Sequence, residues 1–103
     1  FLSLEEIILD NNQKVRLLGI KTNIYKVEEA INFLKSKLKG QRVYLRFDRN
    51  KYDKDGILLA YLFLKNKTFI NAHLIKKGLA NLDMGFDFYY KNKFIKLMEQ
   101  SNV

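Results

Sequence analysis

Between Asp48 and Gly56 the chain sets Arg49, Lys51 and Lys54 around Tyr52, with Arg46 just upstream and Asp48, Asp53 and Asp55 interspersed. Guanidinium and ammonium groups neutralise phosphates, and an exposed ring stacks on a base. This mixture is therefore the chemistry of a single-strand nucleic-acid contact. The three aspartates invite a calcium-loop reading, but the template needs glycine at its sixth position, and counting from Asp48 that position is Asp53. They are read instead as solvated loop residues. His73 is the single histidine and cysteine is absent, which leaves too few soft ligands for zinc. His73 is expected at the surface or at its boundary, outside any catalytic role. None of the three serines sits in a nucleophile elbow, and no glycine-rich phosphate loop is present.

Composition sets the wider frame. Nineteen Lys and Arg against eleven Asp and Glu leave a formal charge of +8, the electrostatic footprint of a polyanionic partner. The excess is mostly lysine in an Asn- and Ile-rich chain, so a coding bias would produce it equally well. Hydrophobic residues make up 48% of 103 residues, enough for one core, and a single domain over residues 1–103 is expected. Without cysteine there are no disulfides. No stretch approaches the roughly 18 apolar residues of a membrane span. The chain opens on Phe1 without Met, as expected of a processed or truncated piece of something longer. Aromatics are plentiful. Tyr61 and Tyr90 are assigned to the core, and Tyr52 is the expected exposed ring.

The elements that must position this loop are legible from periodicity. Val43, Leu45 and Phe47 alternate with Arg42, Tyr44 and Arg46 as in a half-buried strand, and Ile57–Leu64 is apolar throughout, as in a strand buried on both faces. Asp55-Gly56 supplies the turn of a long hairpin. Upstream, Leu4–Leu9 and Lys14–Ile20 form a first hairpin, with Gly19 predicting a bulge or a close backbone approach. A helix over Tyr25–Lys39 carries Val27, Ile31, Leu34 and Leu38 on one face. After a turn at Lys65–Lys67, Thr68–Ile70 is a short third piece of sheet. Asn71 caps a short helix that ends at Gly78. Leu79–Gly85 is irregular, and a last helix runs from Asp87 to Gln100 with Tyr90, Phe94, Leu97 and Met98 buried. The class is α+β.

The ordered set VRLLGI-x-T, FLKSKLKG, VYLRFD-x₄-DK-x-G-x-LLAYLFL and IN-x-x-LI-x-x-GLA resembles the staphylococcal nuclease (thermonuclease) family from about Ile7 onward. The resemblance implies an OB-fold-like five-stranded β-barrel with three α-helices. It places the first barrel strand upstream of Leu4, where Phe1–Ser3 is too short to supply it, so a fragment or an incomplete barrel is expected. It also implies calcium-dependent phosphodiester hydrolysis by a carboxylate-held cation, a glutamate base and two arginines. Most of those positions are replaced here. Lys21 stands for a calcium-ligating aspartate, Ile24 for the glutamate and Ile57 for the second arginine, while Arg16 and Thr22 are retained. Glu5 aligns loosely with a further carboxylate, which makes Glu5 and Thr22 the weak metal candidates. Phe86 aligns with a ring beside the family's nucleotide pocket.

The resulting expectation is a non-catalytic member without cofactor. It binds single-stranded DNA or RNA through Arg16, Arg46, Arg49, Lys51 and Lys54, with Tyr52 or Phe86 stacking. Two other readings stand beside it. One is a protein-interaction or self-association module that uses the edge left by a missing strand. The other is a metal-dependent hydrolase with residual or altered activity.

Overall fold

The computed structural model describes residues 7–9, 12–85 and 87–101. The predicted first hairpin is present as β1 (Ile7–Ile8) antiparallel to β2 (Lys14–Leu17). The second predicted strand does not run on to Ile20. It breaks at Gly19, which takes φ +79°, and resumes as β3 (Ile20–Thr22) in a different sheet. Helix α1 (Val27–Leu38) buries Ala30 and Leu34. Glu28 and Glu29 lie in its first turn and Lys35 and Lys37 in its last, so its charges oppose the helix dipole at both ends.

The long hairpin forms from β4 (Val43–Arg46) and β5 (Leu58–Leu64), in register from Val43↔Leu64 to Arg46↔Tyr61. The predicted alternation fails at Phe47, which is 43% exposed because the strand ends before it. Strand β5 is central. It pairs with β4 on one side and in parallel with β2 on the other, and every residue except the half-buried Phe63 is buried. Sheet register places Arg16 beside Leu59 and Arg46 beside Tyr61, on one face of this sheet.

Four expectations from the second half are corrected. Phe69 makes only an isolated bridge to Phe63, and Ile70 already opens the next helix, α2 (Ile70–Lys76). Asn71 is not a cap. It lies inside α2, fully buried, where its Oδ1 accepts from the Leu62 amide at 2.9 Å and its Nδ2 donates to the Leu18 carbonyl at 3.0 Å. The stretch expected to be irregular contains β6 (Ala80–Leu82), which pairs antiparallel with β3. Helix α3 (Lys91–Ser101) starts four residues later than predicted, and Phe94 is its fully buried anchor. Phe94, Tyr90, Phe69 and Tyr61 form one aromatic cluster, with centroid separations of 4.9–6.2 Å.

Among the described residues three helices and six strands thus form an α+β fold consistent with an OB-fold-like barrel. Among the described residues the barrel is not closed. The main sheet runs β1-β2-β5-β4 with β1 and β4 at its edges, and β3-β6 is a separate pair.

Candidate nucleic-acid interface

The Asp48–Gly56 loop is fastened at three points. At its start, Asp48 Oδ2 accepts from the Tyr61 hydroxyl at 2.6 Å and from the Tyr89 amide at 2.7 Å, while its Oδ1 accepts from the Arg49 amide. In its middle, Tyr52 bridges to Leu58, and the Leu59 amide donates to the Lys51 carbonyl. Near its end, Asp53 Oδ1 accepts from the Asp55 and Ile57 amides, and Gly56 takes the positive φ, +79°, that the turn needs. Only Asp55 is a solvated loop residue of the kind expected for all three aspartates. Asp48 and Asp53 are spent on holding the loop, because each accepts bonds from backbone amides that a long hairpin would otherwise leave open.

The Asp53 side chain is 8% exposed, and its Oδ2 lies 3.3 Å from the Arg16 guanidinium. The pair is an ion pair without hydrogen-bond alignment, since Oδ2 has no hydrogen-bond partner among the described residues. Arg16 therefore clamps the loop base to β2 and is only partly available to an outside phosphate.

Above these anchors the loop presents an exposed surface. Lys51 Nζ lies 5.0 Å from the Phe47 ring centre and 5.9 Å from that of Tyr52, within cation–π reach of both. Tyr52 is 54% exposed. Arg46, Arg49 and Lys54 are exposed, with the Arg46 guanidinium 5.7 Å from the Phe63 ring. Phe86 and Glu5 lie outside the described residues. Two further exposed rings lie at this loop. Phe47 was assigned to a strand's inner face. Tyr89 is 80% exposed and is tied to the loop through Asp48. A run of Phe88, Tyr89 and Tyr90 just ahead of a helix was the available signal, since no single helix face can bury all three.

Lys21 pairs with Asp83 at 3.9 Å, Ile24 is 76% exposed, and Ile57 is half-buried with its backbone engaged by Asp53. The retained Thr22 hydroxyl is buried with no hydrogen-bond partner among the described residues. A hard cation needs several carboxylate or carbonyl oxygens. No group of three carboxylate, His or Cys side chains converges among the described residues, and an ammonium occupies the expected ligand position. Among the described residues this donor set does not fit calcium.

The Asp48 carboxyl has a clear acid signature. Partial burial pushes its pKa up, but the Tyr61 hydroxyl, the Tyr89 and Arg49 amides and the Arg49 charge outweigh that and hold it below the ordinary carboxylate value. Burial and the same bond push the Tyr61 phenol upward. A depressed folded-state pKa stabilises the fold above the unfolded-state value, and that contribution disappears as pH falls through the folded value. Asp48→Asn should cost about 1–2 kcal/mol at neutral pH, because one donor loses its acceptor. It should also flatten the acid limb of a urea-midpoint-versus-pH curve. A variant whose acid limb matches the parent would show that Asp48 does not report on this bond.

Comparison with known proteins agrees with the motif reading. The family model described as Staphylococcal nuclease homologue matches residues 14–101. The thermonuclease of Staphylococcus intermedius is 37% identical over 110 residues, covering 94% of this chain and 62% of that protein. The thermonuclease of Staphylococcus hyicus is 37% identical over 75 residues, covering 72% of this chain and 41% of that protein. The chain thus spans less than two thirds of the length of either relative. The match supports a nucleic-acid-related function at the level of the family. With motif order, fold and family match in agreement, the chain belongs to the staphylococcal nuclease family.

Proposed function

We propose that this domain binds single-stranded nucleic acid through the Asp48–Gly56 loop and does not cleave it by the family's calcium route. The observation that carries the reading is the cluster of Lys51 between the exposed Phe47 and Tyr52 rings, on a loop held in place by Asp48 and Asp53. Ammonium groups track phosphates, and rings with a free face stack bases of any identity. Arg46, Arg49 and Lys54 extend the cationic surface, and Tyr89 offers a further ring beside it. Arg16 acts chiefly as the loop's clamp. With Lys21, Ile24 and Ile57 at the hydrolytic positions, no carboxylate there takes a proton from water or holds a cation.

The test is anisotropy of an end-labelled oligothymidylate titrated at several salt concentrations. Affinity should fall with salt at a slope near −0.7 per phosphate contacted, and the label should remain intact. The double variant Lys51→Glu with Lys54→Glu should weaken binding about tenfold or more, by a similar factor for every sequence, and reduce the salt slope. Unchanged affinity would remove the loop from the interface. Cleavage of the label would overturn the non-hydrolytic reading.

The open sheet favours a second reading. Edge strands β1 and β4 both line one groove of about 970 Å³, with Ile7, Ile8, Leu9, Leu38 and Val43 on its walls. Unpaired strand edges accept an added strand, so this groove suits a protein segment or another copy of the chain. A mass that stays monomeric across concentrations in light scattering would count against self-association there.

A further inference from the structure

A second basic cluster lies away from the loop, where the C-terminal ends of α1 and α2 meet. Lys37 from α1 and Lys77, just beyond α2, both reach the half-buried Phe33 ring, with Nζ atoms 5.9 Å and 5.8 Å from its centre. His73 lies one helical turn before Lys76 and Lys77, and its amide and carbonyl are spent within the helix. None of Lys37, Lys76 and Lys77 forms an ion pair with a described residue. By contrast, Lys21, Lys26, Lys91 and Arg16 each sit beside a carboxylate.

Helix C-termini attract cations, and that accounts for lysines in the last turns of both helices. It does not account for two lysines from different helices converging on a single ring. Nor does it neutralise the field they create. The His73 imidazole is held below its ordinary pKa first by burial, then by Lys76, Lys77 and Lys37. The strongest charges acting on it are all positive, so among the described residues the helix ends leave a positive potential there. Like charges held together around an apolar ring cost free energy that only an anion recovers.

We infer that Lys37, Lys76 and Lys77, gathered around Phe33 and His73, form a second phosphate-backbone contact for a nucleic-acid strand, separate from the Asp48–Gly56 loop. The anion chemistry follows from the cluster itself, while the choice of nucleic acid rests on the function proposed above. The contact reads charge, because Phe33 is half-buried against the core and its three lysines offer ammonium groups rather than base-specific donors and acceptors. It therefore adds affinity without sequence preference.

The experiment uses the full chain and an oligothymidylate long enough to engage both surfaces. Binding is read by anisotropy, and His73 is titrated by NMR with and without the oligonucleotide. In the free protein, Lys37→Glu with Lys77→Glu should raise the His73 pKa, while a parental urea midpoint confirms that the exposed substitutions leave the chain folded. Saturating oligonucleotide should raise the His73 pKa in the parent chain. The double variant should lose about tenfold in affinity and about 1.4 from the salt slope, equivalent to two single-strand phosphate contacts.

An unmoved His73 titration together with parental affinity and slope in the variant would overturn the inference. If that result accompanied a weakened Lys51→Glu/Lys54→Glu chain, the loop reading would stand alone. If the loop variant were unaffected and the helix variant weakened, this surface would be supported and the loop discarded. Binding to phosphatidylserine vesicles, with no His73 response to the oligonucleotide, would overturn nucleic acid as the partner.

Discussion

Asn71→Ala is expected to destabilise the fold by about 3–5 kcal/mol, a large share of the roughly 5–15 kcal/mol that holds a domain of this size together. The reason lies in how β2 leaves β5. Their parallel pairing ends at Leu17↔Ala60, so the next amide on that edge of β5, Leu62, has no strand to meet. Asn71 supplies the acceptor from within α2, and its Nδ2 donates to the Leu18 carbonyl just where the chain turns away. The side chain also approaches the Ala60 carbonyl at 3.3 Å, but that group already accepts from the Leu18 amide. Truncation to alanine therefore orphans one buried donor and one buried acceptor, at about 1–3 kcal/mol each, and leaves a small void besides. Asn71→Asp separates the donor from the acceptor. As a carboxylate it serves Leu62 but cannot donate to Leu18, and its charge is buried. Once protonated it can do both. Its urea midpoint should therefore rise as pH is lowered, against the trend of the parent chain. A loss below about 1 kcal/mol for Asn71→Ala would mean that water or a local shift satisfies both groups.

This residue also marks a boundary between what was legible in the sequence and what was not. A polar residue ahead of an apolar helical stripe has the local pattern of a cap, and nothing in the neighbouring residues says that a strand edge needs an acceptor there. The same holds for Asp48 and Asp53. Charge in a loop reads as solvation, and only the folded hairpin shows that Asp48 meets Tyr61 and that Asp53 meets Arg16. Strand β6 was missed because Ala80–Leu82 is too short to show alternation, and its partner strand lies some 60 residues away. What depended on local repetition was recovered. Strand β5, the Leu34 and Leu38 positions of α1 and the exposed Tyr52 follow from period, length and flanking charge, whereas Val27 and Ile31 are only half-buried. The surface around Phe33 could not be read from sequence, since Lys37 and Lys77 come from different helices and only tertiary packing brings them to one ring.

Gly19 shows how a correct local reading becomes a quantitative one. The sequence predicts a close backbone approach, and the approach is to Phe88. A Cβ at Gly19 would lie 2.6 Å from two carbons of that ring and 3.2 Å from Phe94. The backbone there also has φ +79°, a conformation that costs an L-residue about 1–2 kcal/mol. Gly19→Ala should thus lose about 2–4 kcal/mol, the backbone strain plus the overpacking that displaces a buried ring. A double-mutant cycle separates the two. Phe88→Leu removes the ring edge, so Gly19→Ala in that background should cost only the strain, about 1–2 kcal/mol, and the two changes should fall short of additivity by 1 kcal/mol or more. Full additivity in urea melts would show that the ring gives way freely and that strain alone explains the glycine. The outcome bears on the interface as well. Phe88 precedes Tyr89, whose amide is held by Asp48 at the head of the basic loop. A ring pushed off Gly19 should pull on that anchor. The Gly19→Ala chain should then bind the oligothymidylate more weakly than its remaining stability predicts, while Gly19→Ala with Phe88→Leu should recover part of that affinity.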